Sequence, residues 1–140
     1  MVARGGKPKP PGEAINPNRR GSLEWTEVED VPFEDGPRLP QKAPDGKAWH
    51  PWAVRKWRNW RRMPHCVLWT ETDWDYALDS VTLAHRMYND GGITVAAELR
   101  IREANMGTTL DARRDLRIRY VEPKAPKPKL QVVGDDFSAL

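Results

Sequence analysis

The stretch WHPWAVRKWRNWRRMPHCVLWTETDW, residues 49–74, holds six of the seven tryptophans of this 140-residue chain. They are Trp49, Trp52, Trp57, Trp60, Trp69 and Trp74, and Arg55, Lys56, Arg58, Arg61 and Arg62 stand among the first four. Trp49, Trp52, Ala53, Trp57 and Trp60 recur at i, i+3, i+4, i+8 and i+11, one face of a helix. Pro51 suits the first turn of that helix, and Met63-Pro64 ends it, so it is expected over Pro51–Arg62. One face is then apolar and aromatic, made to be buried in a core or against a neighbouring subunit. The other is strongly positive, with arginines whose planar forks suit phosphate and carboxylate.

Three more helices follow. Thr72 and Asp75 read as a capping box opening a helix over Asp73–Asn89. Trp74, Ala77, Leu78, Val81, Ala84, His85 and Tyr88 form its apolar stripe, and Asp90-Gly91-Gly92 breaks it. Thr94 is expected to cap a third helix, with Ile93 as a hydrophobic staple. This helix carries Ala97, Leu99, Ile101, Ala104 and Met106 and stops at Gly107. Thr108 or Thr109 caps a fourth, with Leu110, Ala112, Leu116, Ile118 and Tyr120 as its apolar positions, ended by Pro123. No segment alternates cleanly enough to be read as a strand. The fold class is mainly α: a compact bundle of about four helices over 49–122, with extended, partly disordered arms at both ends.

The flanks have other compositions. Residues 1–22 are rich in proline and glycine and carry five bases, including Arg19 and Arg20, against Glu13 alone. Such a segment has too little apolar surface to offset its ordering entropy, so it reads as a flexible basic arm, either a DNA-contacting tail or a solubilising leader. Residues 23–48 hold six acids within positions 23–36, together with Trp25 and Phe33. Pro32, Pro37, Pro40 and Pro44 forbid a long helix here. This segment is expected to be an extended strap that lays Trp25 and Phe33 into grooves and offers its acids to the Arg55–Arg62 region, on its own chain or the next. From Pro123 a Pro/Lys linker leads to an apolar-acidic tip with Leu130, Val132, Val133, Phe137 and Leu140. Residues 123–140 read as a linker and docking tail, or as a frayed end.

Composition argues against several functions. The single cysteine, Cys66, excludes an intrachain disulfide framework. His50, His65 and His85 are isolated, and His65-Cys66 lacks the further ligands of a zinc site. His85 lies on an apolar stripe and reads as a satisfied core histidine. No phosphate-binding loop and no nucleophile motif assemble, so neither catalysis nor a metal or cofactor is expected. With no spanning apolar run and no secretory leader, a soluble, cytoplasmic protein is expected.

Two basic surfaces remain: Arg55, Lys56, Arg58, Arg61 and Arg62 on the first helix, and Arg113, Arg114, Arg117 and Arg119 on the fourth. Both suit a polyanion. The third helix, Gly107 and the fourth helix have helix-turn-helix spacing, so a small DNA-binding transcription regulator is the alternative reading. The same arginines would equally serve to pair with Glu98, Glu103 or a neighbour's strap. Seven tryptophans exceed what a small core needs, which predicts that Trp25, Phe33, Trp52, Trp57, Trp60, Trp69 and Trp74 contribute to contacts between subunits.

A family resemblance joins these features. The motifs Leu23-Glu24-Trp25-Thr26, Val31-Pro32-Phe33, Trp49-His50-Pro51, Trp57-Arg58-Asn59-Trp60, Met63-Pro64 and Thr72-Asp73-Trp74 follow one another. Ala97-Glu98-Leu99-Arg100, Met106-Gly107 and Arg113-Arg114-Asp115-Leu116-Arg117 complete the series. In this order they resemble the small terminase subunits of tailed phages that infect actinobacteria. Leu110 departs from the proline expected at its position. The resemblance implies a non-catalytic, ring-forming factor that engages viral DNA and recruits the large terminase subunit, the ATPase and nuclease. It would act in the host cytoplasm during assembly and be absent from the mature virion. DNA would meet either the arm with Arg19, Arg20 and the first helix, or Arg113, Arg114 and Arg117. Leu130, Val132, Val133, Phe137 and Leu140 would dock the large subunit.

Overall fold

A computed structural model describes residues 24–124. The order is β1 (Thr26–Glu29), α1 (Pro51–Trp60), a 3-10 helix (Pro64–Leu68), α2 (Glu71–Asp90), α3 (Ile93–Met106), α4 (Leu110–Asp115) and β2 (Ile118–Val121). The fold is mainly helical, as its periodicity implies. The core lies where α1, α2 and α3 meet, around Trp49, Ala53, Trp57, Trp60, Ala77, Val81, Ala84, Leu99 and Met106. Ala53, Ala77, Val81 and Ala84 are fully enclosed, and these small residues let the helices approach closely enough to clasp the indoles. Removing one indole from water is favourable by roughly 4–6 kcal/mol before ordering entropy is subtracted.

Each helix end has a local cause. His50 Nδ1 accepts the Trp52 N–H at 3.1 Å and caps α1. The cap of α2 is Thr70 rather than Thr72. Asp73, not Asp75, completes the capping box, its carboxylate accepting the Thr70 N–H at 2.8 Å. Both pairs share the same spacing, and the one that wins opens the helix directly after the extended Trp69. Helix α3 starts two residues earlier than a cap at Thr94 would dictate, with Gly92 at its N-cap, and Ile93 is exposed rather than stapled. Gly107 ends α3 in the left-handed region, at φ 71° and ψ 38°. The Thr109 hydroxyl accepts the Ala112 N–H and caps α4.

The fourth helix differs most from expectation. It has 6 residues and ends at Asp115. Arg117 turns the chain at φ 57°, and Ile118–Val121 forms a strand parallel to β1, with Thr26 opposite Ile118 and Glu29 opposite Val121. The helical reading of Leu116, Ile118 and Tyr120 is therefore corrected. Residues 117–120 alternate Arg-Ile-Arg-Tyr, a period of two, and the β-branched and aromatic residues go to the partner that the strap supplies. A helix this short also removes the recognition element that a helix-turn-helix regulator requires.

The strap lies along α1. Trp57 Nε1 donates to Pro37 O at 2.9 Å, Trp49 Nε1 donates to Pro40 O at 2.8 Å, and the Arg61 guanidinium donates to Gly36 O. The Phe33 N–H reaches Arg62 O at 3.1 Å, and the Phe33 ring stacks on Trp74 at 6.1 Å. At Gly36 the strap is so close to α1 that a Cβ would stand 2.7 Å from Arg61 O. A buried histidine ties the sheet to the helices: the Tyr120 hydroxyl donates to His65 Nδ1 at 2.6 Å, and His65 Nε2 donates to Met106 O at 2.7 Å. His85 is the satisfied core histidine expected from its stripe. Its Nδ1 accepts the His50 N–H at 2.9 Å, and its Nε2 donates to Asp45 at 2.9 Å.

Two outcomes follow from this packing. Gly36→Ala forces a backbone shift against Arg61 and is expected to cost about 1–3 kcal/mol in denaturant unfolding, with α1 itself intact by circular dichroism. Burial holds the His65 imidazole below its ordinary value of 6.5, with the Arg113 charge acting in the same direction. The unfolded chain therefore takes up this proton first on acidification. The stability that His65 contributes is present above about pH 6.5 and is lost as pH falls through the folded-state value. Unfolding free energy measured from pH 8 downward is expected to decline in that window, and to decline less in His65→Gln.

Candidate nucleic-acid interface

The five bases of the first helix do not form one surface. Lys56 is half-buried and pairs with Glu103 on α3, while its ammonium also lies 5.6 Å from the centre of the Trp60 ring. Arg61 is half-buried and spends its guanidinium on Gly36 O. Arg55, Arg58 and Arg62 are exposed, and among the described residues none of the three has a carboxylate within ion-pair distance. Arg55 and Arg58 on α1 and Arg62 in the turn that follows it, spaced three and four residues apart, form a stripe roughly 10 Å long. Asn59 is exposed beside them. Part of this charge also serves the helix itself, since Arg58, Arg61 and Arg62 sit at its C-terminal, electronegative end.

Carboxylates of the strap do not quench this stripe. Among the described residues the only strap acid from 24–36 within 4.0 Å of a base is Glu27, which faces Arg119 on β2. The strap reaches α1 through backbone carbonyls instead. Glu34 lines a shallow cleft with Phe33, Arg58, Arg61 and Arg62.

The second arginine cluster is more deeply engaged in the fold. Arg113 donates to Gly107 O at 3.2 Å and lies 4.9 Å from the Tyr120 ring centre. Arg119 lies 4.7 Å from the Trp25 ring centre, and Arg117 6.0 Å. These cation–π contacts clasp β1 onto β2. Arg114 is exposed, 3.9 Å from Asp111. The arrangement offers a polyanion fewer unengaged charges than α1 does. Arg19 and Arg20, and Leu130, Val132, Val133, Phe137 and Leu140, lie outside the described residues.

The aromatic residues also divide. Trp57 and Trp60 are buried by their own chain, at 3% and 4% exposure, so little of either is left for a neighbour. Trp69 and Trp74 pack edge to face at 4.8 Å and are partly covered, as is Phe33. Trp25 is at the margin of exposure under its arginines. Trp52 departs from the helix face assigned to it: it is 64% exposed and stands edge-on to Tyr88 at 5.6 Å. The Pro51 turn puts it at the rim of the core, beside the ring of His50. Sequence reasoning missed a second exposed apolar feature. Ile93, Ala97, Ile101 and Ala104 share one face of α3, and Ile93 and Ile101 are 89% and 52% exposed. Their spacing of 4, 4 and 3 was legible, but it reads equally well as a core stripe.

Reactive chemistry is quiet here. Cys66 is buried, donates to Trp60 O at 3.1 Å, and has its thiol pushed up to about 12 by burial. Among the described residues no three metal-ligating side chains gather, and no helix is long and apolar enough to cross a membrane.

A family model described as phage terminase small subunit matches residues 3–136. No curated protein and no solved structure gives a significant match.

Proposed function

Since the chain belongs to the phage terminase small subunit family, matched over nearly its whole length, we propose that it initiates packaging of the viral genome as a closed ring that holds DNA for the large terminase subunit. The observation that supports a DNA-engaging role most directly is the Arg55, Arg58 and Arg62 stripe, exposed and unpaired among the described residues. Arginine forks suit phosphate oxygens, and contacts of this kind position a protein on a duplex without reading its sequence. The basic arm with Arg19 and Arg20 would add charge alongside. ATP hydrolysis and cutting would be left to the large subunit, in the cytoplasm of the infected cell. The C-terminal residues Leu130, Val132, Val133, Phe137 and Leu140 would bring that subunit to the ring.

A ring requires two different, complementary surfaces on each copy. The α3 stripe of Ile93 and Ile101 and the rim around Trp52 and Tyr88 are the apolar surfaces that we assign to this contact. Their exposure on a single copy is the reason, since patches of this kind mark interaction sites.

Binding to duplex DNA is expected to weaken steeply with salt. Replacing Arg55, Arg58 and Arg62 together by Ala should flatten the slope of log K against log salt by about 0.9 for each phosphate that these arginines neutralise. The folded state should be retained, since each surface change falls within about 0.5 kcal/mol of neutral. An unchanged slope would remove α1 from the interface. Arg61→Ala should instead lower stability by about 1 kcal/mol by removing the hydrogen bond to the strap.

Light scattering behind a sizing column is expected to give one species of many protomers, and Ile101→Asp should yield a smaller, folded species. A wild-type monomer or dimer rules out the ring. Deleting Leu130–Leu140 should leave the oligomer intact and abolish capture of the large subunit. Retained capture would place that docking elsewhere.

A further inference from the structure

A groove runs between β1, the following strap and the 3-10 helix. Its floor is apolar: Val28, Val31, Phe33, Pro64, Val67 and Leu68. Val31, Val67 and Leu68 are 44%, 60% and 52% exposed. Its rim carries Glu27, Glu29, Glu34 and Asp35, and among the described residues only Glu27 has a base within 4.0 Å. An acidic rim over an apolar floor repels DNA and suits a segment that is both cationic and apolar.

β1 also has an edge that no described strand pairs, where the Glu29 carbonyl already accepts the Val31 N–H at 2.8 Å. The sheet contains two strands, and the Thr26 and Asp30 N–H groups bond to Arg117 O and Val121 O, each at 2.8 Å. Backbone alternation turns the Glu27 and Glu29 N–H groups the other way, toward an edge that no described strand pairs. Exposed edges of this kind are templates for an added strand.

The chain supplies a segment of the required chemistry close by. β2 ends at Val121, beside Asp30 at the end of β1. From Pro123 the sequence reads Pro-Lys-Ala-Pro-Lys-Pro-Lys-Leu-Gln-Val-Val. Its prolines have no N–H to pair, so the first part is a spacer. Leu130-Gln131-Val132-Val133 is the stretch with strand-forming side chains. We propose that Leu130–Val133 adds to the open edge of β1 as a third strand, antiparallel to it, with Lys124, Lys127 and Lys129 over the acidic rim. The direction follows from topology. β1 and β2 run parallel and end together, so a chain that leaves β2 and returns along the far edge of β1 runs the opposite way. The distance is short: two strand spacings amount to about 10 Å. The eight residues 122–129 span up to roughly 25 Å when extended. A tether of this length favours the chain's own segment over that of a second copy, through effective concentration. Strand alternation places Leu130 and Val132 together on the groove floor. A large subunit that binds Leu130–Leu140 must then displace this strand first, so the two uses of the tail exclude one another.

Hydrogen exchange on the full chain, without DNA or large subunit, tests this separately from the packaging role. The Glu27 and Glu29 amides are expected to exchange at least tenfold more slowly in the wild type than in the full-length Leu130→Asp/Val132→Asp variant. High salt should accelerate their exchange in the wild type. Equal rates in both proteins overturn the proposal. Cross-linking with a short bismaleimide after Glu29→Cys and Lys129→Cys then identifies the donor, with buried Cys66 as the unreactive background. A single-chain product supports docking of the chain's own segment. A product of two linked chains overturns it in favour of strand exchange between copies.

Discussion

The contact between the strap and α1 governs the rest of the structure. An extended, proline-rich segment has carbonyls to satisfy and few N–H groups of its own to offer. An indole has one N–H and no acceptor. Trp57 donating to Pro37 O and Trp49 donating to Pro40 O therefore match two one-sided inventories. The match lets large aromatics lie inside a small core without a stranded donor, and it fixes where the strap runs. The seat at Gly36 follows, because the strap passes so close to the Arg61 backbone that a Cβ there would stand 2.7 Å from Arg61 O, while the Arg61 guanidinium donates to the Gly36 carbonyl. With the strap anchored at Gly36, Pro37 and Pro40, its N-terminal part is carried alongside the 3-10 helix. There Thr26–Glu29 finds Ile118–Val121.

That route accounts for the strand that local sequence reading missed. A four-residue strand has no stability alone, and the pattern of residues 117–121 fits a helix end as well as a strand. Pairing decides the outcome, and the partner lies about 90 residues earlier in the chain. The signal that was present, Arg-Ile-Arg-Tyr alternation, becomes informative only once the strap is known to return to it. By contrast α1, α2 and the stop at Gly107 were legible, because periodicity, capping and a left-handed glycine are local properties. The shift of the α2 cap from Thr72 to Thr70 shows the grain of such reading: two identical spacings compete, and the geometry of the preceding Trp69 selects one.

The candidate site was legible as a class and less so as a set of residues. A run of five bases on one short helix is visible in any reading. Which of them face water depends on what α1 packs against. Helix α3 brings Glu103 to Lys56, and the strap brings Gly36 O to Arg61. Neither neighbour can be read from the helix itself. The tryptophans behaved similarly. An excess of indoles suggested contacts between subunits, but the strap carbonyls and the facing alanines of α2 gave Trp57 and Trp60 an intramolecular home. Trp52 and the α3 isoleucines are what the fold leaves outside.

The charge blocks have a simpler logic than mutual neutralisation. Had the strap acids paired with the α1 arginines, each would have cancelled the other and the surface would be bland. The strap approaches α1 through its carbonyls, so its carboxylates are free to point elsewhere. The chain thus keeps two patches of opposite sign, an arginine stripe along α1 and its C-terminal turn and an acidic rim beside β1, which adjoin at Glu34. For a protein that handles a polyanion this separation has a mechanical consequence. On the proposed reading the positive face would draw a duplex in, while the negative face would exclude it and be left to basic protein segments. DNA and protein partners would then be held at the same time without competing for one surface. Joining these two faces into one salt-bridged contact would stabilise the monomer slightly, since exposed ion pairs contribute about 0–1 kcal/mol, and would remove the polarity on which simultaneous binding depends.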